Sequence, residues 1–191
     1  MSPVIRSTIK DSEITLRPLR LRDRSVWGEV RRNNQEWLSR WEATRPEIDG
    51  DGPLPSYWQM IRQSRRESKA LRTLSFGIWI KEDGRQRFVG QITLAGIVFG
   101  AYRGGYIGYW VDKRVANRGI ITQSVIALTE YGFKKLSLHR IEINMRPENL
   151  PSQRVAEKAG YHFEGLRPRY IHIDGDWRDH LVFVRENPLI R

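Results

Sequence analysis

The chain contains no cysteine, and that one absence removes disulfides, thiolate nucleophiles and cysteine-ligated zinc or iron-sulfur sites together. It also lacks any apolar run near the ~18 residues that a bilayer-spanning helix requires. The opening stretch MSPVIRSTIK has none of the apolar length of a secretion signal, so a cytoplasmic protein with no membrane partner is expected. No internal repeat, low-complexity tract or Pro/Gly/Ser-rich linker interrupts the 191 residues, which favours a single domain, 1–191, around one core. Negative charge is scarce as well: Asp and Glu number 22 against 33 Lys and Arg, for a formal charge of +11. A surplus of that sign draws nucleic acid, phosphorylated cofactors or acidic protein faces, although a merely solvated basic surface has the same composition.

What is present reads as a mixed α/β chain. Residues 12–19, SEITLRPL, alternate around Ile14 and Leu16 and stop at Pro18, a short first strand. Between Asp23 and Trp41, Val26, Val30, Trp37 and Trp41 recur at helical spacing, with a possible break at Asn33-Asn34. A second helix is expected over 53–72, with Pro53 and Pro55 in its first turn and Trp58, Ile61 and Leu71 opposite Arg62, Arg65 and Arg66. The period then shortens. Leu74, Phe76, Ile78 and Ile80 alternate, Asp83-Gly84 turns, and 89–98 returns as the second arm of a hairpin. Gly104-Gly105 reads as the next turn, before the apolar strand 106–111. A helix over 119–135 and a strand over 138–145 follow, Ile141, Ile143 and Met145 facing one way and Glu142 and Asn144 the other. A short helix, 151–159, ends at Gly160, and strands 169–173 and 177–184 close a hairpin around Asp174-Gly175-Asp176.

The most informative local signal is the strand, loop and helix of 106–135, where Ala116-Asn117-Arg118-Gly119-Ile120-Ile121-Thr122 leads directly into a helix. The first amides of a helix have no partner within it and its dipole is positive there, so the main chain from Arg118 to Thr122 is suited to a pyrophosphate. An ordinary helix start with one glycine has the same appearance, and neither a full Gly-x-Gly-x-x-Gly nor a Walker lysine is present.

The second half is more specific. Asn149-Leu-Pro-Ser152, Ala159-Gly160-Tyr161, Glu164-Gly165 and Asp174-Gly175-Asp176-Trp177-Arg178-Asp179-His180 stand in this order. With GYIGYWV and RGIITQSV before them, they make the chain resemble the GNAT superfamily of acyl-coenzyme A N-acyltransferases, and within it the RimJ/RimL group that acetylates protein N-termini. The resemblance spans almost the whole chain. It implies a GNAT fold, of class α/β (α+β): a central mixed, mostly antiparallel sheet of about seven strands flanked by about four helices. It departs from the family in the phosphate loop, usually Gln/Arg-x-x-Gly-x-Gly/Ala, where Ala116 and Ile121 replace the outer residues and only Gly119 is kept. Amides rather than side chains hold the phosphates, so this bears on coenzyme affinity and not on the family.

The resemblance further implies acetyl-CoA as cosubstrate, no metal, and direct attack of an amine on the thioester. A backbone amide near Trp110 and Val111 would polarise the carbonyl, while Asn117, Arg118, Gly119, Ile120, Ile121 and Thr122 would hold the diphosphate. Ser152 would meet the departing sulfur and Asn149 would position the pantetheine arm, although both residue types also serve simply as helix caps. Glu164 is the first choice for the base and Glu142 the second, each with the alternative of a plain solvated carboxylate. An α-amine of pKa about 7.7 to 8.0 makes only a mild demand on that base. His172 and His180 read as surface or structural residues. Trp37, Trp41 and Trp58 fall in helices that cover the acceptor groove in similar folds, as core or as a grip on a peptide. The implied acceptor is a protein N-terminus, with a ribosomal protein first and ribosome or RNA contact through the basic surface. A basic RNA-binding module without transfer and a small-amine acetyltransferase are the alternatives.

Overall fold

The structure, a computed structural model, describes residues 3–9, 12–46 and 54–190. Strands β1 (Ile5–Ile9) and β2 (Ser12–Arg17) come first, followed by helices α1 (Arg24–Asn33), α2 (Gln35–Ser39) and α3 (Tyr57–Lys69). Then come β3 (Leu74–Glu82), β4 (Arg85–Val98), β5 (Gly104–Val111), α4 (Ile120–Leu136), β6 (Arg140–Met145), α5 (Leu150–Lys158), β7 (His162–Ile173) and β8 (Asp176–Glu186). One open sheet runs β1-β2-β3-β4-β5-β6-β8-β7 and is antiparallel throughout except between β5 and β6. That parallel ladder is three residues long, Gly104 to Tyr106 against Arg140 to Glu142. It is the join between an antiparallel leaf, β1 to β5, and a second leaf, β6-β8-β7.

The sheet is covered on both faces, as its apolar content requires. On one face α4 buries Ile121, Val125, Leu128 and Gly132, spaced as one helical stripe, against the larger core. Gly132 admits this close approach, because a Cβ there would stand 2.7 Å from Ile141 Cδ1. On the other face α1 and α3 close a smaller core of Leu19, Val30, Ile61, Trp79 and Phe88, with Trp27, Tyr57, Met60 and Trp110 packed against it.

Several expectations need correction. β1 was not expected, so the sheet has eight strands rather than seven, and the break at Asn34 divides the first helical region and makes five helices. Gly104 and Gly105 do not turn but begin β5, where Cβ atoms would meet the Tyr102 ring at 2.7 Å and the Ala95 carbonyl at 2.9 Å. The turn precedes them, with Gly100 and Arg103 at positive φ. α3 starts at Tyr57 behind a Ser56 cap, so Pro55 precedes the helix, and Pro53 lies outside the described residues. Its packing side is Tyr57, Met60 and Ile61, while Trp58 and Leu71 are exposed.

Candidate functional site

Beyond Tyr106 and Glu142 the two leaves diverge, and a cleft of about 1260 Å³ opens between them. Its walls include Ile107 to Val111 of β5, Ile143 to Met145 of β6, the start of α4, one side of α5, and Trp37, Leu38 and Arg40 to Ala43 at and after α2. The β5 wall offers main-chain donors. Asp112 N–H bonds the Val89 carbonyl, and the register pairs Trp110 with Gln91, so alternation turns the amides of Trp110 and Asp112 to β4 and those of Tyr109 and Val111 to the cleft. Of the two residues expected to polarise a carbonyl, Val111 therefore presents its N–H and Trp110 contributes its side chain.

At the cleft end nearest α4, Gly119 caps the helix with φ +77°, and its missing Cβ would lie 2.6 Å from Ile9 Cδ1. Conformation and proximity both call for glycine here. The first bond of the helix runs from Gln123 N–H to the Gly119 carbonyl, which leaves the Ile120, Ile121 and Thr122 amides at the cleft wall beside Asn117. Arg118 is turned elsewhere. Its guanidinium pairs with Glu82 at 2.7 Å and lines a separate small hollow, so it ties the loop to the β3-β4 hairpin.

α5 begins beside this wall. Asn149 Oδ1 accepts the Ser152 N–H at 3.2 Å, the capping duty foreseen for it, and both residues line the cleft. The Ser152 and Tyr109 hydroxyls share a hydrogen bond of 2.7 Å that spans the cleft from α5 to β5. Burial pushes the Tyr109 phenol well above its ordinary value, so it stays protonated and able to donate. Tyr109 was missed in the sequence, although a hydroxyl on the otherwise apolar side of Ile107 and Val111 was the available signal.

Neither carboxylate expected as base is among the cleft walls. Both Glu164 oxygens are held by Arg140, at 3.0 and 2.8 Å, and this pairing keeps the carboxyl below its ordinary value. Glu142 is buried rather than solvated, between Arg140 at 2.9 Å and Arg167 at 2.8 Å. Burial works to raise its carboxyl, but the hydrogen bonds and charges of Arg167 and Arg140 outweigh it, and the net direction is down. These are fixed counter-ions of the second leaf, and Arg167 stands too far along the chain for the pairing to be legible beforehand.

The remaining wall is aromatic and basic. Trp37 and Trp41 are half-buried at the cleft, whereas Trp58 is exposed outside it. Arg31 stacks on Trp110 and is paired to Glu42, and Arg40 and Arg146 both lie over Trp41. Bonds cross the mouth from the segment after α2 to the second leaf: Thr44 N–H to the His172 carbonyl at 2.8 Å, Thr44 Oγ1 to His172 Nδ1 at 2.8 Å, and Arg146 Nη1 to the Arg40 carbonyl at 3.2 Å. At the end of β5 the fully buried Asp112 accepts from Arg114, Arg87 and Asn34. His180, expected as a surface or structural residue, is buried, bonds the Arg178 carbonyl and also lines the cleft. Among the described residues no cluster of His, Asp and Glu is arranged to hold a metal, and no helix is long and apolar enough to cross a membrane.

Comparison with known proteins agrees with this geometry. The profile of the acetyltransferase (GNAT) domain matches residues 13–162. The chain is 32% identical over 186 residues to the probable N-acetyltransferase YjcK of Bacillus subtilis, covering 94% of this chain and 97% of that one. It is 27% identical over 172 residues to the ribosomal protein uS5-alanine N-acetyltransferase of Escherichia coli, covering 87% and 84%. Mycobacterium smegmatis RimJ, solved in complex with CoA-disulfide, superposes with a TM-score of 0.83 at 34% identity, covering 96% of this chain and 86% of that one. The open, mostly antiparallel sheet is that of this fold, and the chain belongs to the GNAT acetyltransferase family.

Proposed function

We propose that this protein is a cytoplasmic enzyme that transfers acetyl from acetyl-CoA to the α-amine at a protein N-terminus, with a ribosomal protein as the first candidate acceptor. The observation that carries this is the cleft itself, where helix-start amides, inward strand amides and the Ser152-Tyr109 hydroxyl pair line one continuous wall. The residues present suit the donor: the amides of Ile120, Ile121 and Thr122 with Gly119 form a seat for a diphosphate, and Asn117 stands beside them. Asn149 shapes the α5 start along which the pantetheine arm runs. The ribosomal acceptor rests on relatives named for modifying uS5 alanine, and those names do not favour a bare RNA-binding module.

In this reading the neutral amine attacks the thioester carbon and the carbonyl electron pair moves onto oxygen, where the Val111 N–H stabilises it. The C–S bond then breaks, and Ser152 Oγ–H gives its proton to the leaving sulfur while the Tyr109 hydroxyl holds Ser152 in place. Positioning in a ternary complex supplies much of the rate. The charge of +11 would repel a free basic ribosomal protein, so contact with ribosomal RNA through the basic surface is part of the proposal. Binding to ribosomal particles should weaken steeply as salt rises, and salt-independent binding counts against that contact.

The decisive test pairs calorimetry with N-terminal mass spectrometry. Acetyl-CoA at ~100 times its dissociation constant should stabilise the protein by ~2.7 kcal/mol. Cells lacking the protein should lose acetylation at specific protein N-termini. Absence of any donor binding removes the reading.

A further inference from the structure

We propose that His180 Nε2 is the group that takes the proton from the attacking amine, and that the Asn144 amide beside it accepts the amine's second N–H and selects primary over secondary amines. This rests on the transferase reading above and supplies the base that neither Glu164 nor Glu142 can provide from where they stand.

The geometry is as follows. His180 is 3% exposed and lines the cleft from β8. Its Nδ1 lies 2.9 Å from the Arg178 carbonyl. A carbonyl only accepts, so Nδ1 carries the hydrogen, and in the neutral ring Nε2 is a bare lone pair. Nε2 has no partner among the described residues. Asn144 lines the same cleft from β6, and its Oδ1 is buried with no hydrogen-bond partner. The register sets Asn144 opposite Val182, so His180, two residues along β8, is its diagonal neighbour on the same face of the sheet. Across the splay β5 presents Gly108, where an added Cβ would meet nothing within 4 Å. Two acceptors without donors thus stand together, at an open point of the cleft that a thioester held against the Val111 amide would adjoin.

The ring is kept neutral by its surroundings. Burial lowers its proton affinity, the bond to the Arg178 carbonyl partly offsets this, and the Arg146 charge lowers it again, against smaller opposing contributions from Asp179 and Glu148. From β7, Arg167 stands opposite in register and the Tyr170 ring packs edge-on at 5.8 Å.

An incoming neutral primary amine has one lone pair and two N–H groups. The lone pair forms the C–N bond, one N–H points to Nε2 and the other to Asn144 Oδ1. As the C–N bond forms, the Nε2-facing proton passes to the imidazole, the C–S bond breaks, and sulfur takes the Ser152 proton. The imidazolium then returns its proton to solvent, and Ser152 is reprotonated from solvent. A secondary amine, such as an N-terminal proline, has a single N–H and leaves Asn144 unsatisfied.

The test measures steady-state kinetics on short peptides beginning with Ala, Ser or Pro, together with acetyl-CoA affinity by calorimetry. His180→Gln should keep donor affinity and lower kcat by about 10²-fold, and free imidazole should restore part of the activity of His180→Ala. Asn144→Leu should slow Ala and Ser peptides while leaving Pro peptides unchanged, which narrows the selectivity. The wild-type kcat should fall at acid pH as one group protonates below its ordinary value of 6.5, a readout that needs no variant. A His180→Gln enzyme with near wild-type kcat, or a wild-type kcat that shows no fall toward acid pH, overturns the proposal. A wild type that binds acetyl-CoA but acetylates none of the peptides instead overturns the acceptor reading, and this proposal with it.

Discussion

The two walls of the cleft are built from different materials. In the proposed reading the donor side works through main-chain amides, at the start of α4 and along β5, and the side chains there mostly serve to place them. On the proposed acceptor side the working groups are side chains, Trp37, Trp41, Asn144 and His180, brought together from the α2 region, β6 and β8. Main-chain donors come with any residue that keeps the backbone in shape, so the donor wall is expected to tolerate Ala116 and Ile121 in place of the family's usual residues. The acceptor wall has no such tolerance, because each of its groups is one particular chemistry at one particular position.

That contrast can be broken by experiment. The largest effect is expected at a donor-side residue that acts through its side chain: Ser152→Ala should lower kcat by about 10²-fold with donor affinity intact, as measured by coenzyme A release and calorimetry. Next is Gly119→Val. A left-handed φ costs a residue with a Cβ about 1–2 kcal/mol, and relieving it by moving the loop should weaken acetyl-CoA binding about tenfold with little change in kcat. Replacing Ala116 or Ile121 by the family's usual residues should change affinity far less, and an effect larger than that of Gly119→Val would erase the distinction between the walls. Glu142→Gln sharpens the comparison from the other side. It should lower stability by about 2 kcal/mol, roughly 6 °C in Tm, and spare the kcat of the folded enzyme. Glu164→Gln, at an exposed pair, should do little to either.

The smallest effects are read in the pH dependence of Tm. Asp23, Asp112 and Glu142 are all held below their ordinary values. Each contributes stability that is present above the unfolded carboxylate value and lost as pH falls through the folded one, so the steep loss lies below about pH 4. His180 is lowered as well, so its contribution is present above 6.5 and fades as pH falls beneath it. A shallow decline should therefore precede the steep one and vanish in His180→Gln. A Tm that is level between about pH 7 and 5 would contradict this.

The sequence was most legible where a pattern is local. The α4 stripe, the alternation of β3 and β6, and the α5 cap at Asn149 all follow from spacing within one element. β1 was missed because IRSTI offers only five residues at the sheet edge, where burial is partial and alternation shallow. The glycines at 104 and 105 misled because glycine marks a tight approach of neighbours as readily as a turn. In the site, the placement of the Gly119 loop at the start of α4 was readable from the loop and helix order. The bases were not: Glu142 and Glu164 look available until Arg140 and Arg167 arrive from other strands. His180 looked incidental because its orientation comes from a carbonyl two residues away and its place on the cleft wall from the splay of the sheet.

The bonds from Thr44 to His172 and from Arg146 to Arg40 close a loop of structure whose other end is the three-residue parallel ladder. Pinned at its apex and braced on the far side by these bonds, the opening is triangulated, and we infer that its width is largely fixed as the chain folds. The entropic cost of bringing two reactants into register is thus met largely during folding, which leaves less of it to be drawn from the contacts each substrate makes on arrival.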